Sequence, residues 1–179
     1  GIEAARHMQQ WAALRADPGF APALYARALL RGYRNGELQG DAKAAMADLD
    51  LLIRRFPESA RLHITRGSLL FGDYDYRRAL VDYDAALKLD PGNVSARLTR
   101  ANARVELGDM KGAGEDYDAA IAARPDAAYL LVERANYHMR VGESDAAFDD
   151  IDAAQQFLDE ALGDHAGIMP RISRRPVSP

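Results

Sequence analysis

The chain contains no cysteine. That excludes disulfides, thiol nucleophiles and cysteine-bound metal sites, and leaves the redox compartment open. Lysine is scarce, confined to Lys43, Lys88 and Lys111, so arginine carries most of the positive charge. The net charge is −4, which provides no overall basic field to draw nucleic acid or anionic lipid. No run of ~20 apolar residues occurs, so no membrane insertion is expected. Catalytic signatures are missing too. The four histidines, His7, His63, His138 and His165, have no metal-ligand partner at helical spacing, and neither HExxH nor G-x-S-x-G is present. The glycines at 32, 36 and 40 lack the Lys-Ser/Thr ending of a phosphate-binding loop, so this stretch is expected to be a flexible rim. These absences point away from an enzyme, a cofactor, a metal or nucleic acid.

What the chain has is a repeat. Its 179 residues are 48% hydrophobic and 28% charged, enough for a packed core. Pro57, Pro91 and Pro125 are 34 residues apart, and so are Ala45, Ala79, Ala113 and Ala147. Leu49, Tyr83, Tyr117 and Ile151 keep the same spacing, as do Leu52, Ala86, Ala120 and Ala154. Four sets at one period define an array of one unit. Within a unit, Ala79, Leu80, Tyr83, Ala86 and Leu87 fall on one face of a helix, and Asp90-Pro91 ends it. A second helix is expected upstream, from about Ala60 to Phe71, followed by a turn carrying Gly72. Small residues, Ala28, Gly67, Ala101 and Ala135, occupy one column of the first helices, where only a small side chain permits close approach.

This 34-residue helix–turn–helix, with its small, aromatic and proline columns, resembles the tetratricopeptide repeat over residues 21 to 161. The resemblance implies an all-α fold, a right-handed superhelical array of antiparallel helix pairs. The pattern departs in places: His63 and Arg97 replace the bulky aromatic early in the first helix, and Asp159 replaces the closing proline. The expected organisation is a half-repeat or capping helix at 1–20, then a repeat at 21–59 with a lengthened turn. Repeats follow at 60–93, 94–127 and 128–162, the last with an extended final helix, and then a tail or linker at 163–179. In the first segment, a helix over residues 3–16 carries Trp11, which would pack on the first full repeat or cover the end of the array. The chain starts at Gly1, which a removed leader, a cleaved tag or a cut from a longer chain would each produce.

Two acidic columns accompany the repeat. Arg27, Arg66, Arg100 and Arg134 precede the small column, and Asp48, Asp82, Asp116 and Asp150 precede the aromatic one. Each Arg is expected to cross to the Asp of its own unit and tie the two helices together. Asp50, Asp84, Asp118 and Asp152 lie two positions later, about 200° around the helix, and are expected to form a solvated outer stripe.

In arrays resembling this one, the first helices line a concave groove. The candidate peptide-binding columns are Tyr25, Ile64, Leu98 and Val132; Leu29, Ser68, Asn102 and Asn136; and Val105, Met139 and Arg140. Asn102 and Asn136 are the sharpest candidates, because an amide both donates and accepts and can hold the backbone of an extended peptide. Similar asparagine ladders occur in peptide-binding members of the family. The five-residue Lys/Asn/Asn/Lys/Arg clamp of another subclass is not matched, since Tyr25, Leu29, Thr65, Ser95 and Thr99 stand in its places. The expected function is therefore a non-enzymatic module gripping an extended peptide or helix of another protein. The alternative is a structural or oligomeric scaffold whose groove holds its own tail or another subunit, so self-association through the tail remains open. A third reading is a regulatory fragment of a larger enzyme. The compartment, cytoplasmic or exported, stays undecided.

Overall fold

The computed structural model describes residues 21–32 and 42–162. Among these residues there are eight helices and no strand. They are α1 (Ala21–Gly32), α2 (Ala42–Arg55), α3 (Ala60–Gly72), α4 (Tyr76–Leu89), α5 (Val94–Glu106), α6 (Met110–Ala123), α7 (Ala128–Val141) and α8 (Ser144–Leu162). The expected N-terminal helix with Trp11, the glycine-containing turn and the tail fall outside the described residues. The chain divides into two compact units, residues 1–120 and 121–179, with the division inside α6.

In the first unit the sequence punctuates each helix. The Asp75 carboxylate accepts from the Arg78 amide at 3.2 Å and starts α4. Asn93 accepts from the Ala96 amide at 2.9 Å and starts α5, and Asp109 accepts from the Gly112 amide at 3.0 Å and starts α6. Such caps satisfy amides that have no partner within the helix. Periodic apolar positions then turn inward. Leu24, Ala28, Ala45, Leu49, Leu52, Leu62 and Leu69 form one core cluster. Leu70, Ala79, Tyr83 and Ala103 form another, and Ala86, Leu87 and Ala96 a third. The small column does what its residues suggested. A β-carbon on Gly67 would lie 2.6 Å from Tyr83 Cε1, so the bare backbone of α3 rests against that ring.

Each expected Arg–Asp pair forms, and each is two-pronged. Arg66 Nε and Nη2 donate to Asp82 at 2.8 and 2.6 Å, and Arg100 grips Asp116 at 2.8 and 2.6 Å. Arg27 holds Asp48 in the same way. The carboxylates are buried: Asp82 and Asp116 are 2% and 3% exposed. Further partners converge on them. His63 Nδ1 lies 3.1 Å from Asp82, and Arg104 Nη1 donates to Asp116 at 2.8 Å and to the Gly112 carbonyl at 2.9 Å.

The second acidic column corrects the expectation of a solvated stripe. Asp50 accepts from Arg66 Nη1 at 2.6 Å, and Asp84 accepts from Arg100 Nη1 at 2.8 Å. Each of these carboxylates faces away from its own repeat and toward the first helix of the following one. Arg66 and Arg100 are therefore bracketed by two carboxylates from successive second helices. Hydrogen bonds to Asp82 and Asp116 raise the pKa of these guanidiniums most; desolvation opposes, and Asp50 and Asp84 add to the rise.

The second unit has its own copy of the pair. Arg134 Nε and Nη2 donate to Asp150 at 2.9 and 2.6 Å, binding α7 to α8. His138 lies beside it, 3.7 Å from Asp150 and 2.8 Å from Glu143. Its helix α8 runs 19 residues and reaches Leu162, the extension expected from the missing proline. Toward its end the side chains turn polar: Gln155 donates to Asp159 at 2.8 Å and Gln156 to Glu160 at 3.0 Å. Position 155 repeats the column of Leu87, which is buried in the first unit. A polar residue there suits the final face of a repeat array.

Candidate functional site

The candidate residues occupy first helices, and their burial separates them. In the first unit, Val105 is only 5% exposed and belongs to the interior, which removes it from any contact surface. Tyr25 and Ile64 are half-buried and pack against core clusters. Tyr25 is also engaged by polar neighbours. Its hydroxyl lies 3.1 Å from Thr65 Oγ1 and accepts from Arg61 Nε at 3.2 Å, while the Arg61 guanidinium sits 5.0 Å from its ring centre. Leu29, Ser68, Leu98 and Asn102 are half-buried.

Asn102 is held in place. The Tyr117 hydroxyl donates to its Oδ1. With the carbonyl side occupied, the amide's NH₂ is the group left to act as a donor elsewhere. The sequence treats Asn102 and Asn136 as equivalents, but position 117 becomes Ile151 one repeat later. Isoleucine has no hydroxyl, so Asn136 cannot be fixed in that manner. The two asparagines belong to different units and offer different chemistry: one oriented and half-buried, one exposed.

In the second unit the remaining candidates gather on one face of α7. Val132 and Met139 are 45% and 54% exposed, and Asn136 and Arg140 are exposed between and beside them. Tyr129, 50% exposed, extends the same face at helical spacing. Sequence reasoning left Tyr129 out; its place three residues before Val132 was the available signal.

One open cleft of about 470 Å³ lies elsewhere in the first unit, lined by Asp84, Leu87, Lys88, Pro91, Arg97 and Arg100. Its arginines are already engaged. Arg97 donates to the Pro91 carbonyl at 2.6 Å, and Arg100 holds two carboxylates. Among the described residues, no group of three or more His, Asp or Glu is gathered as a metal site. No helix among them is long and apolar enough to cross a membrane.

Comparison with known proteins gives a family match and a set of structural likenesses. The family described as Tetratricopeptide repeat matches residues 64–128 and 98–167. No curated protein matches the sequence. Among solved structures, a crystal structure of MamA is 17% identical with a TM-score of 0.72, covering 87% of this chain and 88% of MamA. YrrB, described as a TPR protein with an unusual peptide-binding site, is 19% identical with a TM-score of 0.66, covering 89% and 80%. TTC0263, a thermophilic TPR protein in Thermus thermophilus, is 18% identical with a TM-score of 0.66, covering 88% and 89%. At these identities the likeness is one of fold.

Proposed function

This chain belongs to the tetratricopeptide-repeat family, and from that premise we propose that it is a non-enzymatic interaction module holding an extended segment or helix of a partner protein on its first-helix faces. The observation that carries this reading is the face of α7. Tyr129, Val132 and Met139 stand at least 45% exposed in one stripe, with Asn136 among them. A surface helix gains nothing in folding from such a stripe, whereas a docked segment would bury it. Methionine adapts to varied side chains, and an exposed amide can bond a peptide backbone through both its donor and its acceptor. In the first unit, Leu29, Ser68, Leu98 and Asn102 supply the corresponding columns, with the Asn102 NH₂ as a donor for a backbone carbonyl. YrrB, a fold relative, is described by its peptide-binding site, which supports a peptide as the ligand class.

Selection of a displayed library of short random peptides against the whole chain tests the reading. Selected peptides should lose about tenfold or more in affinity for a chain carrying Asn102→Ala and Asn136→Ala, and again for Val132→Asp with Met139→Asp. Peptides that bind all three chains equally would overturn it.

A further inference from the structure

Three turns between first and second helices are built alike. The amides of Asp75, Asp109 and Glu143 donate to the carbonyls of Leu70, Arg104 and His138, each at 2.9 Å. The residue before each donor is left-handed: Tyr74 at φ 62°, Gly108 at 81° and Gly142 at 86°. These three positions are 34 residues apart. Glycine suits such a turn because it has no β-carbon to collide with the backbone, whereas tyrosine adopts that conformation at a cost. Tyr74 is 78% exposed, so burial of its ring does not offset the strain. A strained residue that contributes little to folding is a pointer to function.

The ring is also held in place. Phe71 and Tyr76 meet edge to face with centres 5.0 Å apart, and Tyr76 meets Tyr74 edge to face at 6.2 Å. Phe71 and Tyr76 are half-buried, so the ladder starts in the fold and ends in solvent at Tyr74. Asp73 is exposed beside it, while Asp75 is engaged by Arg78 at 3.4 Å. Exposed tyrosine faces attract guanidinium groups, and aromatic surfaces of this kind take the rings of proline-rich extended segments. One stretch of this chain has both groups. Residues 169–179 read MPRISRRPVSP, with three arginines, three prolines and no acidic residue, a combination found nowhere else in the sequence.

We propose that the Phe71–Tyr76–Tyr74 ladder at the α3–α4 turn is a docking point for the chain's own segment 169–179, with arginine and proline stacked on Tyr74 and Asp73 as counter-charge. This surface is separate from the α7 face. Because the chain has no cysteine, Ser178→Cys accepts a single nitroxide label in the full-length protein. The label should broaden the ring resonances of Tyr74 and Tyr76. Broadening should disappear when Arg171, Arg174 and Arg175 are all changed to Ala. Tyr74→Gly should keep or raise the melting temperature while the amide signals of 171–178 shift on loss of contact. Mixing spin-labelled chains with isotope-labelled, unlabelled ones identifies the source of the segment, and docking from either the same or a second copy supports the proposal. Absence of broadening at Tyr74 overturns it, as does broadening confined to Tyr129 and Tyr137 of α7. Segment signals unchanged by Tyr74→Gly in a folded chain overturn it as well.

Discussion

Arg100 reaches Asp84 at 2.8 Å with Nη1 while its Nε and Nη2 hold Asp116. One guanidinium thus joins the second helix of its own repeat to the second helix of the repeat before. The two contacts are unequal. The side chain of Asp116 is 4% exposed and that of Asp84 is 43% exposed.

That inequality sets the cost of removing each acid. Asp116→Ala leaves the Arg100 and Arg104 guanidiniums uncompensated and should cost up to ~3–5 kcal/mol. Asp84→Ala removes a solvent-screened partner and should cost only ~0–1 kcal/mol. Urea unfolding of the two variants measures the difference, and equal losses would contradict the burial argument.

Gly67→Ala tests the helix crossing. Alanine gains about 1 kcal/mol over glycine inside a helix. Its β-carbon would, however, sit 2.6 Å from the Tyr83 ring, which is 1% exposed and has nowhere to swing. Overpacking of this kind costs roughly 1–3 kcal/mol, so a modest net loss of about 1 kcal/mol is expected. The equivalent positions one repeat later already carry Ala101 and Tyr117, which argues against a larger loss. Thermal unfolding gives the sign.

Tyr117→Phe removes the hydroxyl that fixes Asn102 and should cost about 1 kcal/mol. A double-mutant cycle with Asn102→Ala should return a coupling of roughly 0.5–1.5 kcal/mol. No corresponding coupling is expected between Ile151 and Asn136. A cycle that closes at zero for Tyr117 and Asn102 would show that the bond contributes nothing net.

Tyr74→Gly should stabilise the chain by about 0.5–1 kcal/mol. Relief of left-handed strain, about 1–2 kcal/mol, exceeds the extra chain entropy that glycine loses on folding. The same substitution at an ordinary exposed helix position would destabilise. A lower melting temperature for Tyr74→Gly would mean that the ring ladder itself supports the fold.

The period of the sequence was enough to locate the helix pairs, the small column at Gly67 and the Arg–Asp pair within each repeat. All of these follow from spacing along a single helix and its nearest neighbour in the chain. Spacing also showed that Asp50 and Asp84 turn away from Asp48 and Asp82, about 200° around the helix. It did not show what stands on that side. A second helix in an array has a first helix on either flank, so the far column meets Arg66 and Arg100 rather than water. The same limit applies to the candidate site. Sequence placed Val105, Asn102 and Asn136 on first-helix columns, but only tertiary packing buries Val105 and turns the Tyr117 hydroxyl onto Asn102. The handedness at Tyr74 was legible as a glycine column broken once. Its meaning depended on tertiary structure, which leaves that ring in solvent and so removes burial as the reason for the strain.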